Sequence, residues 1–300
     1  SKDIITLISP LIQSKKLVDI SKDLLIINEF GELSNLSNDQ KNFRSLPFMI
    51  NFCQEIINQS VNPQKINFLF QTLIKSIRRI NNFWHIQVAN DSFIKSKYLI
   101  LSSSLIAHPR CLEILNTNSI PLRDAFIPGT DEVVDSLLIA TSKLAYIQRK
   151  VYILYVSNLA FTQAFHNQYL QIIFSKSIRE DLNFERIIFQ KQTDGSIIIL
   201  LHCFNINKTT EINIEKILQS LTSLFVNYQI FLDLFSQAKL LDKMDWRASQ
   251  PLNQLLPKEL QWSSSSKIGF CGDWFDMDNC KGVESAMKSS IRLIQLLNWQ

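Results

Sequence analysis

The sequence predicts a mixed α/β chain built as two interleaved domains, and three observations carry the prediction. Residues 141 to 203 hold four strand-like runs, with Asp194-Gly195 between the last two. Residues 213 to 236 repeat apolar side chains at helical spacing. Near the C-terminus a short apolar run ends in Gly272-Asp273, and a helical pattern opens after Gly282. A chain of 300 residues suits one large or two moderate domains and can bury a core without disulfides.

Taken in order, Ile4, Ile5, Ile8, Leu11 and Ile12 form one helical stripe, interrupted by Pro10. Residues 31 to 44 are polar and read as a loop. Ser45 and Pro47 suit the start of a helix over 46 to 59, with Met49, Phe52, Cys53, Ile56 and Ile57 on its apolar face. The runs 66 to 77, 83 to 88 and 98 to 101 read as three strands of a β-meander, with Asn81-Asn82 as a turn. Residues 102 to 130, with three prolines, read as irregular. Strands follow at 144 to 156, 168 to 174, 185 to 191 and 196 to 203. Their spacing leaves no room for crossover helices, so antiparallel pairing is expected. Asp-Gly is the strongest hairpin signal. The 213-to-236 stripe (Ile217, Leu221, Phe225, Phe231, Phe235) reads as one core-facing helix. A strand over 267 to 271 and a helix over 283 to 298 close the chain.

Composition excludes several classes. At 46% apolar and 19% charged, the chain is neither a disordered nor a collagenous one. Glycine is scarce, 6 in 300, yet Gly269, Gly272 and Gly282 crowd one short segment. No GxGxxG and no GxxxxGK[ST] occurs. The net charge of +4 is mild. Arg78-Arg79 beside Phe83-Trp84 reads as the solvated face of a hairpin, so no nucleic-acid partner is expected. Five cysteines without a CxxC argue for free thiols in a reducing, cytoplasmic compartment. Cys271 and Cys280 have no histidine nearby, and no metal site is expected. The four histidines are scattered, and HExxH and GxSxG are both absent, so no catalytic side chain emerges. No apolar run is long enough to cross a bilayer, and no signal peptide opens the chain. It begins at Ser1 rather than methionine, which reads as a processed or truncated start.

A strand ending in Gly-Asp, a loop and a glycine-initiated helix is a way to hold a cofactor. The first helical turn offers unpaired N–H groups and partial positive charge. Ligands of open α/β sheets sit outside strand carboxyl ends. The bland alternative is a βα unit with an aspartate in its loop.

The run IGFCGDWFDMDNCKGVESAMKSSIRLIQLL, residues 268 to 297, resembles the closing flavin-binding motif of the flavin amine-oxidase superfamily. It is most similar to the renalase-like NAD/FAD-dependent oxidoreductases. The resemblance implies FAD, a partial Rossmann-like FAD-binding domain and an antiparallel-sheet substrate domain. It implies Gly272 and Asp273 at the ribityl chain or pyrophosphate, with Trp274 beside them among the cofactor-binding residues. It places Gly282, Val283, Glu284, Ser285 and Ala286 at the flavin edge, and the backbone of Ile74 at the adenine. Residues 245 to 251 resemble the family's H-R-W-x-Y-A-x-P segment, with Met244-Asp245 in place of His-Arg and Ala248 in place of tyrosine. Trp246 there reads as a packed tryptophan. The family's opening strand–GxGxxG–helix is missing, which implies that about sixty residues precede Ser1, the size of a βαβ unit with its loop.

The expected domains are 44–103 with 265–300 for FAD, and 1–43 with 104–264 for substrate. The expected function is oxidation of a small electron-rich substrate, a reduced nicotinamide species or an amine, by hydride transfer to flavin with oxygen as acceptor. A second reading is a non-catalytic interaction or scaffold protein descended from that fold. Substrate identity and oligomeric state are not legible.

Overall fold

The computed structural model describes residues 2–36, 41–46, 51–59, 62–88, 92–114, 116, 118–157, 164–204, 213–252, 254–278, 280 and 282–297. It is a mixed α/β chain in two compact units, one of 1–10, 55–146 and 250–300, the other of 11–54 and 147–249. The expected helix over 46 to 59 lies partly outside the described residues; its described part is Asn51–Asn58.

In the second unit the early strands are β1 (Leu17–Asp19), β2 (Leu24–Ile27), β3 (Leu33–Asn35) and β4 (Phe43–Ser45). The stretch 31 to 44 is therefore not all loop. Leu33 pairs with Ile27 across a tight turn at Gly31, whose φ is +73° and where a Cβ would sit 2.6 Å from the Leu224 carbonyl. The meander strands β5 (Ile74–Ile80), β6 (Phe83–Val88) and β7 (Phe93–Ser96) and the strand β8 (Leu99–Leu101) belong to the first unit. The large sheet continues with β9 (Tyr146–Val156), β10 (Tyr169–Phe174), β11 (Phe184–Lys191), β12 (Ile197–Phe204) and β13 (Lys239–Pro251). Its order is β13-β9-β12-β11-β10-β2-β3. The pairs β9–β12, β12–β11 and β11–β10 are antiparallel, as the spacing demands, while β10 runs parallel to β2. The Asp194-Gly195 turn closes β11 onto β12, with Gly195 at φ +84° and the Asp194 carboxylate accepting from Ser196 N–H at 2.9 Å.

The stripe from 213 to 236 forms two helices, Ile214–Leu224 and Gln229–Gln237, not one. The chain breaks at Phe225 to Tyr228, yet Ile217 and Leu221 of the first helix, Phe225 in the break, and Phe231 and Phe235 of the second helix join one core. Phe225, Phe231 and Phe235 pack with Phe189, Ile199 and Leu201. The strand β13 was not anticipated, because its side chains are exposed on both faces and show no alternation. Trp246, on that strand, is 48% exposed and is not a packed tryptophan.

In the first unit β5, β6 and β7 form the meander, and the expected third strand, Tyr98–Leu101, is not part of it. The strand over 66 to 77 begins only at Ile74. Trp84, fully buried, anchors the meander by donating its indole N–H to the Ser266 carbonyl at 3.0 Å. Segments 104–146 and 250–264 pack in this unit, whereas the sequence reading placed them with the antiparallel sheet. The cause is a helix that reading omitted, Glu132–Ser142, whose Val134 and Leu137 lie in one core with Trp84, Phe270 and Trp274.

That helix is capped by Asp131, which is 5% exposed. One carboxylate oxygen accepts from Val133 and Val134 N–H, both at 3.1 Å. The other accepts the hydroxyls of Ser263, Ser265 and Ser266. Burial pushes this carboxyl up, but the serine and Val134 hydrogen bonds outweigh it and hold it below the usual range. Its contribution to stability is present above the ordinary aspartate range and is lost as pH falls through the depressed folded value. Asp131→Ala removes a cap worth about 1 kcal/mol and strands buried hydroxyls at about 1–3 kcal/mol. Thermal unfolding followed by circular dichroism is expected to show the midpoint lower by roughly 5–10 °C. A loss below about 2 °C would mean that the serines find other partners.

Candidate functional site

The C-terminal elements are a two-residue strand β14 (Trp262–Ser263), β15 (Ile268–Phe270) and the helix Gly282–Leu297. The strand β15 lies between β14 and β8 and runs parallel to β8, Ile268 facing Leu99 and Phe270 facing Leu101. Two parallel strands deliver their carboxyl ends to one side of a sheet, where an α/β fold places ligands.

Sequence explains why helix and strand sit so close. At Gly269 a Cβ would come within 2.9 Å of Leu293 Cδ1. On the helix, Ser285 and Ser289 are fully buried. Ser285 donates its hydroxyl to the Phe275 carbonyl at 3.1 Å. Ser289 Oγ accepts from Gly272 N–H at 2.7 Å. Gln261, fully buried, ties strand to helix through the carbonyls of Phe270 and Ser289.

The expected site residues fall into two groups. Gly272, Trp274 and Ser285 hold the loop itself. Gly272 has φ +141°, and Trp274 is buried with its indole N–H given to the Cys271 carbonyl at 2.8 Å. In the other group Asp273 and Gly282 are half-buried, and Val283 and Glu284 are exposed. Asp273 is half-buried, and burial pushes its carboxyl up, with its own backbone N–H and Arg110 pulling the other way. Gly282 has φ +57°, and only Gln250 Nε2, at 3.5 Å, would meet a Cβ there. Val283 and Glu284 are exposed on the first helical turn, Glu284 lying 3.8 Å from Lys288 Nζ. Ala286 uses its carbonyl for the hydroxyls of Ser289 and Ser290. Ile74 starts β5 in a different sheet and packs against the core of this unit.

Sequence reasoning missed the groups that share Asp273's electrostatic surroundings. Arg110 lies over the Tyr146 ring, 3.8 Å from its centroid, and donates to Ser104 Oγ at 3.2 Å. Its Nε and Nη1 are buried, with no hydrogen-bond partner among the described residues. Tyr146 bonds Ser104 Oγ, and burial, with Asp273 adding to it, pushes the phenol up so that it stays protonated. His108 is a structural histidine. It accepts from Arg110 N–H at Nδ1 (3.0 Å), so Nε2 carries the hydrogen and donates to the Leu144 carbonyl at 3.0 Å. The signal for this cluster was the serine run after β8, but it points to the site only once β8 is known to lie beside β15.

The donor set fits a flavin in part. A half-buried carboxylate suits the hydroxyls of a ribityl chain, and the N–H groups of a first helical turn suit an electron-rich ring edge. The sequence offers no glycine-rich turn for the pyrophosphate. Among the described residues no group of three His, Cys, Asp or Glu side chains is placed to hold a metal.

No family profile matches this chain, and no curated protein sequence matches it. Solved structures do. A protein described as an FAD-containing monooxygenase from Photorhabdus luminescens superposes with a TM-score of 0.51 at 12% identity, over 94% of this chain and 70% of its own. FqzB superposes with a TM-score of 0.52 at 7% identity, over 98% of this chain and 60% of its own. An oxidoreductase from Methanosarcina mazei matches with a TM-score of 0.45 at 11% identity, over 75% of this chain. The chain spans 49% of that protein's length. At these identities the likeness is one of fold.

Proposed function

We propose that this chain is an FAD-dependent oxidoreductase of the renalase and amine-oxidase kind, working in the cytoplasm. The observation that carries the reading is the half-buried Asp273 at the carboxyl end of β15, next to a helix that opens at Gly282. The fold shared with an FAD-containing monooxygenase supports it. Asp273 and the first turn at Gly282, Val283 and Glu284 would hold the cofactor, with Gly272, Trp274 and Ser285 fixing the loop. Bound FAD supplies hydride acceptance and its return to oxygen. The chain's own residues then bind, orient and exclude water. The Asp273 carboxylate accepts hydroxyl hydrogens, and Arg110, stacked on Tyr146, sets the positive field beside it. The substrate is a small electron-rich donor, a reduced nicotinamide species or an amine, carried by the antiparallel-sheet unit. No general base is invoked, because hydride transfer to a flavin does not require one.

The test is direct. The protein purified from its native cells is expected to be yellow, with a flavin absorption band. The 300-residue chain alone lacks a GxGxxG turn and is expected to bind added FAD only weakly, since the pyrophosphate is ordinarily held by such a turn and its helix. Submicromolar binding in a fluorescence titration of this chain would overturn that account. A second reading, a non-catalytic scaffold, is favoured by the absence of GxGxxG from this sequence; a colourless protein purified from its native cells would support it.

A further inference from the structure

From Asn62 to Ile100 the chain carries Lys65, Lys75, Arg78, Arg79, Lys95 and Lys97 against a single acid, Asp91. That segment is +5, while the whole chain is +4, so the remaining residues sum to −1. The net positive charge of the protein is thus concentrated in the meander and the loop that leads into it. Cross-strand register lines up Arg78, His85 and Lys95 across β5, β6 and β7. On the same face Ile80 pairs with Phe83 and Gln87 with Phe93, and Phe93 is 65% exposed. Lys95 Nζ sits 4.1 Å from the centre of the Phe83 ring.

The loop running directly into β5 is apolar and exposed. Ile66, Phe68, Leu69, Phe70 and Leu73 all lie in solvent, with Phe70 at 81% and Leu69 at 63% exposure. The Phe68 and Phe70 rings stack on each other, 5.6 Å apart and 7° from parallel. Monomeric proteins seldom expose a run of large apolar groups like this without a use for it. Exposed Lys65 and Lys75 bracket the run. Neither phosphate-tracking nor base readout calls for aliphatic side chains such as Ile66, Leu69 and Leu73. An anionic bilayer surface does: apolar groups enter the acyl boundary while lysines and arginines meet the headgroups.

We infer that the loop 66–73 and the basic face of the meander form a docking surface for an anionic membrane. The inference is independent of the flavin reading. The experiment is sedimentation of the 300-residue protein with phosphatidylcholine vesicles, with and without phosphatidylserine, at low and high salt. Binding is expected only with phosphatidylserine, weakening as salt rises. Phe68→Ser with Phe70→Ser is expected to abolish it. Lys75→Gln, Arg78→Gln and Lys95→Gln together are expected to weaken it about a hundredfold, roughly fivefold for each charge near the surface. All five residues are exposed or at a strand surface, and circular dichroism melts matching the parent protein check that the variants fold. The wild-type dependence on lipid charge and salt stands without them. Equal binding to both vesicle types, no binding to either, or unchanged binding by the variants would overturn the inference. So would preferential binding to a single-stranded oligonucleotide, or a vesicle-free dimer that Phe70→Ser dissolves.

Discussion

Replacing Gly272 with alanine is expected to cost the first unit about 4 kcal/mol, the sum of backbone strain at about 1–3 kcal/mol and a broken buried hydrogen bond at about 1–3 kcal/mol. The residue has φ +141°, a region L side chains rarely occupy, and it is buried. An added Cβ would lie 2.3 Å from Trp274 Nε1 and 3.0 Å from the Ser102 carbonyl oxygen. Relief requires Trp274 to move, and Trp274 is locked by its bond to the Cys271 carbonyl and by the Phe270 and Phe275 rings. Gly129→Ala is the control. That glycine also has positive φ, +84°, but a Cβ there meets nothing within 4 Å. Its cost is the backbone alone, about 1–2 kcal/mol. Urea denaturation of both variants, read by tryptophan fluorescence, separates the steric component from the conformational one. If Gly272→Ala were as mild as Gly129→Ala, the loop would be softer than its contacts imply.

What was legible in the sequence follows the range of the interaction. Asp194-Gly195 states its own turn, and the strands on either side pair as read. The β15 strand and the last helix were legible for the same local reason, a short apolar run, then glycine, then a periodic stripe. The pairing of β8 with β15 was not, because the partners are separated by more than 160 residues and neither three-residue strand shows a period. Its absence misplaced Tyr98–Leu101 into the meander and hid the Ser104, Arg110 and Tyr146 cluster. The two helices after 213 look like one in sequence because Ile217 and Leu221 before the break and Phe231 and Phe235 after it enter the same core, so the stripe continues while the backbone breaks. The helix after Asp131 has a legible cap, an aspartate followed by Glu132, but it falls between the irregular stretch 102 to 130 and the strands from 144, and the sequence analysis assigns it no element.

The candidate site was legible in its frame and not in its division of labour. Gly272, Trp274 and Ser285 stand in the motif that resembles a flavin site, yet Gly272 is tied by its N–H and carbonyl to the Ser289 hydroxyl, and Trp274 and Ser285 each donate to a backbone carbonyl. A motif mixes residues that shape a loop with residues that face a ligand, and hydrogen-bond accounting separates them. Among the described residues of this loop, Asp273 is the half-buried carboxylate.

The largest functional effect is therefore expected at Asp273, and it should run opposite to the stability effect. Burial raises this carboxyl above its ordinary range, with the Asp273 backbone N–H and Arg110 as opposing influences. An acid whose folded value is raised weakens the fold at neutral pH, and stability returns as pH falls through that value toward the unfolded one. Asp273→Asn keeps the shape and removes the charge. The isolated chain carrying it is expected to melt at a higher temperature than wild type at pH 7, with less gain on acidification. On the proposed function, the same change removes a charged acceptor for the cofactor, whose hydrogen bonds are worth about 1.5–3 kcal/mol each. Flavin content per chain is then expected to fall ten- to a hundredfold, at about 1.4 kcal/mol per decade. The comparison is Cys271→Ser with Cys280→Ser. Cys271 is buried, and burial pushes its thiol up and leaves it unreactive. Cys280 is held by Lys288 Nζ at 2.7 Å. The double variant is expected to keep its flavin. A destabilised Asp273→Asn chain would remove the burial argument, and an Asp273→Asn flavoprotein as yellow as wild type would remove the carboxylate from the site.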